Sequence, residues 1–113
     1  MKKSDYALAL EYLKEFKSDD VMLSAVSQGA VGDCYSELKD TEAALSYYKK
    51  ALAASANEFT TPVYLMKAAT HAEALGDYNA ALGFYKKIEA DYKNTSEGRN
   101  IEKFIARAEQ MTK

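Results

Sequence analysis

The segments DTEAALSYYKKAL (residues 40–52) and DYNAALGFYKKIE (residues 77–89) are near copies, and no other feature of the 113-residue chain limits its fold as strongly. Aligned on Asp40 and Asp77, eight of their first fifteen positions are identical, at an offset of 37 residues. A third, weaker copy, DYALALEYLKEF (residues 5–16), aligns Asp5 with Asp40 at an offset of 35. A unit of this length cannot bury its apolar face alone, so copies at a fixed period must stack on one another.

The period inside each copy is helical. Ala44, Leu45, Tyr48, Ala51 and Leu52 form one apolar stripe, which Ala81, Leu82, Tyr85 and Ile88 repeat, as do Ala9, Leu10, Leu13 and Phe16. A further helical segment precedes each full copy. Val26, Ala30, Val31, Cys34, Tyr35 and Leu38 mark the first. Val63, Leu65, Met66, Ala68, Ala69 and Ala72 mark the second, opened by Thr61 as N-cap with Pro62 just inside. The turns LKDT and LGDY join each such helix to its partner, which makes the partners antiparallel neighbours. In those turns Asp40 and Asp77 are expected to cap the helices that follow.

Helix–turn–helix units of this period, with Gly-x-x-Tyr early and Ala-x-x-x-aromatic later, resemble the tetratricopeptide repeat. In the first full unit VGDCY supplies Val31, Gly32 and Tyr35, and Ala44 and Tyr48 follow. The second has Ala69 and Ala72 in place of the glycine and tyrosine, then LGDY, Ala81 and Tyr85. The family's early tryptophan is Gln28 in one unit and Leu65 in the other, and its closing proline is absent. The resemblance covers about residues 4–95 and implies an all-α fold, a right-handed α-solenoid of antiparallel helix pairs with about six helices. The expected organisation is a single domain over residues 1–113. Residues 4–17 form the second helix of an incomplete repeat, 20–57 and 60–93 are full repeats, and 95–112 is a C-terminal capping helix.

The small residues at Gly32 and Ala69 are expected to let the helices of a pair approach closely, facing Ala44 and Ala81. In the closing segment, Asn94 and Glu97 fit an N-cap and its third position. Ile101, Phe104, Ile105 and Ala108 there form one stripe against a polar remainder that includes Arg99, Lys103, Arg107 and Glu109. The opening helix lacks a first helix, which leaves an apolar face for a longer array or for self-association through this N-terminal helix.

Composition excludes several functions. Hydrophobic residues make up 48%, charged residues 28%, and the net charge is −2, a globular balance with no basic field for nucleic acid. The pairs Lys49/Lys50 and Lys86/Lys87 share their helices with acids and read as solvated faces. No apolar run is long enough for a membrane span, and none follows Lys2 and Lys3 as in a signal peptide. A soluble domain on the cytoplasmic or periplasmic side of a bacterial membrane is expected. Cys34, the single cysteine, and His71, the single histidine, occupy equivalent places in their units and read as packing residues. No metal site, cofactor or catalytic group is expected.

The resemblance further implies a concave groove lined by first helices. The groove positions are Val26, Gly29, Asp33, Ser36 and Glu37, then Val63, Met66, Thr70, Glu73 and Ala74, with Arg99, Glu102 and Ala106 on the cap. Its apolar centre would be Val26, Val63 and Met66, and its acids Asp33, Glu37 and Glu73, suited to a neutral or basic peptide or protein partner. The expected function is a non-catalytic protein–protein interaction scaffold. The alternative is a structural or assembly segment of a larger, membrane-anchored repeat protein. In period and closing helix the chain is similar to bacterial single-pass proteins with periplasmic repeats of the YfgM type.

Overall fold

The computed structural model describes residues 3–15 and 21–112. Six helices follow one another: α1 (Lys3–Glu15), α2 (Val21–Glu37), α3 (Thr41–Ala54), α4 (Thr61–Ala74), α5 (Tyr78–Asp91) and α6 (Ile101–Met111). Among the described residues there is no strand. The packing is consecutive: α2 pairs with α3 and α4 with α5, while α1 lies on α2, α3 on α4 and α5 on α6. The expected end of the first helix at residue 17, and Phe16 in its stripe, lie outside the described residues.

The two turns inside the pairs are built alike. The Asp40 Oδ1 accepts from the Ala43 N–H at 3.1 Å, and Asp77 does the same for Ala80 at 3.1 Å, so each aspartate caps a second helix as its position suggests. Just before each lies a left-handed residue, Lys39 (φ 63) and Gly76 (φ 80). The following N–H groups reach back to the carbonyls of Tyr35 and Ala72, both at 2.9 Å. This closes the preceding helix in a Schellman turn.

The apolar stripes meet in a core where Tyr48, Tyr85, Ile88 and Ile101 are almost wholly enclosed. A Cβ built on Gly32 would stand 2.7 Å from the Tyr48 ring and 3.2 Å from the Ala44 carbonyl oxygen, so glycine is what allows α2 to lie this close to α3. In the second pair Ala69 and Ala81 are both fully buried. A smaller cluster, Leu10 with Val31 and Cys34, fastens α1 to α2.

Two helix starts differ from the sequence reading. Thr61 is the first residue of α4 rather than its cap. Its hydroxyl accepts from the Asn57 N–H at 2.9 Å, and Asn57 Oδ1 in turn accepts from Phe59 and Thr60. The cap position belongs to Thr60, with Pro62 in the first turn. The closing helix begins at Ile101, not at residue 95, and Asn100 stands where Asn94 was expected. Residues 93–100 are turns instead, because the Thr95 hydroxyl bonds the Tyr92 carbonyl at 2.6 Å and draws the backbone back on itself. Gly98 passes so close that a Cβ there would meet the Tyr92 carbonyl oxygen at 2.4 Å. An ordinary helical turn cannot contain that approach.

Candidate functional site

The first helices α2, α4 and α6 are tied together by two side-chain clasps of one design. In the first, Lys67 of α4 reaches the Asp33 carboxylate of α2 at 2.8 Å. The Tyr48 hydroxyl of α3 donates to the same oxygen at 2.7 Å. Lys67 also lies 5.9 Å from the ring centres of both Tyr48 and Tyr64. In the second, Arg107 of α6 holds both oxygens of Glu73 on α4, at 3.0 and 2.8 Å, and the Tyr85 hydroxyl of α5 donates at 3.2 Å. Arg107 stands 5.2 Å over the Phe104 ring. Each clasp thus joins an acid on one first helix, the tyrosine of its own second helix, and a base on the next first helix with an aromatic three residues before it.

The tyrosines feel this arrangement. Burial, with the Glu73 carboxylate beside it, pushes the Tyr85 pKa up to about 12. Burial and the bond to Asp33 push Tyr48 still further in the same direction. Both hydroxyls therefore stay protonated and donate throughout the physiological range.

His71 links α4 to α2 by a different route. Its Nδ1 lies 2.7 Å from the Lys67 carbonyl oxygen, which can only accept, so in the neutral ring Nδ1 carries the proton. Nε2, 2.9 Å from Ser36 Oγ, then accepts from that hydroxyl. A serine beside a histidine has the outline of a nucleophile and its base. Ser36, however, lies inside α2, where backbone N–H groups are occupied by the helix and none is offered to an oxyanion. Cys34 is buried, and burial raises its pKa, which is the reverse of an activated thiol.

The expected groove residues fall in several different places. Asp33 and Ser36 lie on α2 and Thr70 and Glu73 on α4; Asp33 and Glu73 each already hold a base, and Ser36 holds His71. Thr70 is exposed and bonds its hydroxyl back to the Lys67 carbonyl at 3.1 Å. The expected apolar centre is dispersed. Val63 and Met66 pack onto the main core, whereas Val26 lies in a cleft with Tyr12 and Leu13 of α1. Gly29 is not a surface position: it is buried under the Tyr64 ring, whose atoms would stand 2.1 Å from a Cβ there. Glu37 borders a separate depression with Lys3, Tyr6 and Lys39 at the α1 end. On the cap, Arg99 precedes α6 and Glu102 lies in its first turn, both exposed.

Between α4 and α6 this face opens into a depression of about 420 Å³ lined by Thr70, Glu73, Ala74, Tyr78, Arg107 and Met111. Sequence reasoning put Arg107 on the polar remainder of the closing segment and singled out neither Tyr78 nor Met111. Among the described residues, no helix is long and apolar enough to cross a membrane.

Comparison with known proteins matches part of the chain to a family model. No curated protein matches the chain. Residues 25–58, which run from within α2 to just past α3, match the family model of the tetratricopeptide repeat. Such repeats generally mediate protein–protein interactions. With that match and six consecutively stacked helices, the fold is an all-α, tetratricopeptide-like solenoid.

Proposed function

We propose that this protein is a non-catalytic scaffold that holds a protein or peptide partner along the face of its first helices. The observation that carries the reading is the depression between α4 and α6, where Thr70 and Met111 are exposed beside the clasped Glu73–Arg107 pair. The clasps cancel the charge of Asp33 and Glu73, Glu37 lies apart in a depression with Lys3 and Lys39, and the remaining Arg99 and Glu102 are of opposite sign. The ligand is therefore a neutral peptide rather than a strongly basic one. Its side chains enter the depression while its backbone follows the polar strip of Ser36, Thr70 and the clasps.

The test is cross-linked capture with the natural chain and with a Thr70→Arg, Met111→Glu variant, shown by circular dichroism to be folded. Both positions are exposed, so the fold should tolerate the changes. A partner captured by the natural chain and lost by the variant supports the groove, whereas equal capture removes it. A second reading, an assembly segment of a larger membrane-anchored repeat protein, is favoured by one feature. The apolar residues Leu8, Tyr12, Leu23 and Val26 are exposed together at the α1 end.

A further inference from the structure

The register of the repeat says what belongs on that apolar end. At the offset of 35 residues, Ala9, Leu10, Tyr12 and Leu13 of α1 correspond to Ala44, Leu45, Tyr47 and Tyr48 of α3. On α3 this face meets the first helix of its own pair: Ala44 and Tyr48 close on Gly32, and Tyr47 stacks on Tyr35 at 5.5 Å. Among the described residues no such helix lies on the corresponding face of α1. Tyr12 is 72% exposed, and Leu8 beside it is 65% exposed.

The neighbouring side of α2 points to the same place. On α4 the residues that meet the preceding first helix are Tyr64, Lys67 and His71. At the offset of 37 their counterparts on α2 are Ser27, Ala30 and Cys34. Between Tyr12 and Leu13 of α1 and Val26, Ser27 and Ala30 of α2 runs an almost wholly apolar cleft of about 180 Å³. It continues the buried Leu10–Val31–Cys34 cluster outward to the surface.

We infer that this cleft is a docking site for an amphipathic helix of a partner protein, seated antiparallel to α1 in the position a first helix takes in the two full units. The chemistry of the occupant follows from its neighbours. Against Ala9 and Leu13 it carries glycine or alanine, as Gly32 and Ala69 do opposite α3 and α5. Against α2 it is uncharged, because α2 holds no lysine, arginine or histidine: Ala30 and Ser27 stand where Lys67 would at offsets of 37 and 40, and neither provides a base for an acid. The two inner junctions are ion-paired, and this outer one is apolar. The inference is independent of the groove reading, since it uses the opposite end of the stack.

The probe is a labelled synthetic peptide of residues 58–76, a first helix of this chain, with Glu73 replaced by Ala because α2 has no base to receive it. Binding to the whole protein is followed by fluorescence anisotropy. Saturable binding is expected, weakened about tenfold or more by Tyr12→Glu with Val26→Glu and unchanged by Thr70→Arg. A control peptide carrying Leu65→Glu and Ala69→Glu should not bind. Absence of saturable binding, or binding that ignores the Tyr12 and Val26 changes, overturns the inference. A concentration-dependent dimer abolished by Tyr12→Glu would also overturn it, by giving the face to a second copy. So would co-sedimentation with phosphatidylcholine vesicles lost on the same substitution, which would give it to lipid.

Discussion

Arg107 grips both carboxylate oxygens of Glu73 from 34 residues away, and Lys67 stands to Asp33 at the same separation. The two pairs differ in burial. The Glu73 side chain is only 17% exposed, whereas Asp33 is 48% exposed. Arg107→Ala strips a largely enclosed carboxylate of its main partner and should cost about 1.5–3 kcal/mol in urea unfolding. Lys67→Ala, at the wetter pair, should cost about 1 kcal/mol or less and lose most of that effect in high salt. Equal costs for the two would mean that the deeper burial of Glu73 adds nothing to its pair.

The glycines of α2 and α5 should respond in opposite directions. Gly32→Leu drives a side chain into Tyr48 and the backbone of Ala44, and should destabilise by more than about 2 kcal/mol. Gly83 lies in mid-helix with nothing within 4 Å of a Cβ, so Gly83→Ala should stabilise by about 0.5–1 kcal/mol. Melting temperatures of the two variants decide both statements.

Lys39 holds the left-handed position that Gly76 fills in the second unit. A side chain at positive φ is strained there, and Lys39→Gly should raise stability by about 0.5–1 kcal/mol. A lower melting temperature for this variant would mean that the lysine side chain contributes more than its backbone costs.

Alkali should loosen the core through its tyrosines. The folded chain keeps the Tyr85 proton up to about 12, while an unfolded tyrosine releases it near 10.0. Between those values the unfolded state binds fewer protons, so stability falls as pH rises through that window. Tyr48 acts in the same sense. The Tyr85→Phe variant should show a shallower fall over this range than the natural chain, followed by denaturant midpoints at each pH.

The stripes, the turn caps and the pairing of helices were legible because they recur at a nearly constant offset, 37 residues between the full units and 35 to the opening copy, and because helical burial leaves a periodic trace. The clasps were not, and the cause is geometric. On the first helices the acid, aromatic and base recur at an offset of 40: Asp33 and Glu73, Tyr64 and Phe104, Lys67 and Arg107. The second helices keep 37 between Tyr48 and Tyr85, so a single alignment sets Asp33 against Thr70 and hides the pattern. The available signal was an acid and a base 34 residues apart with an aromatic three before the base. The groove was misread at Gly29 because only three-dimensional packing shows the Tyr64 ring lying over it. The start of α6 was misread because the Thr95–Gly98 turn depends on hydroxyl bonds to the backbone that helical periodicity does not register.

The advance from 37 to 40 residues also bears on how such a protein can grow. Each junction moves the acid and base one helical turn along the first helices relative to the repeat itself. A tandem duplicate of α4 and α5 would therefore bring the copied Lys67 opposite Thr70, a turn short of Glu73. The two units share a shape but not an address: each fits only at its own place in the stack, and a gene that lengthened by simple duplication would have to rewrite its charges to follow.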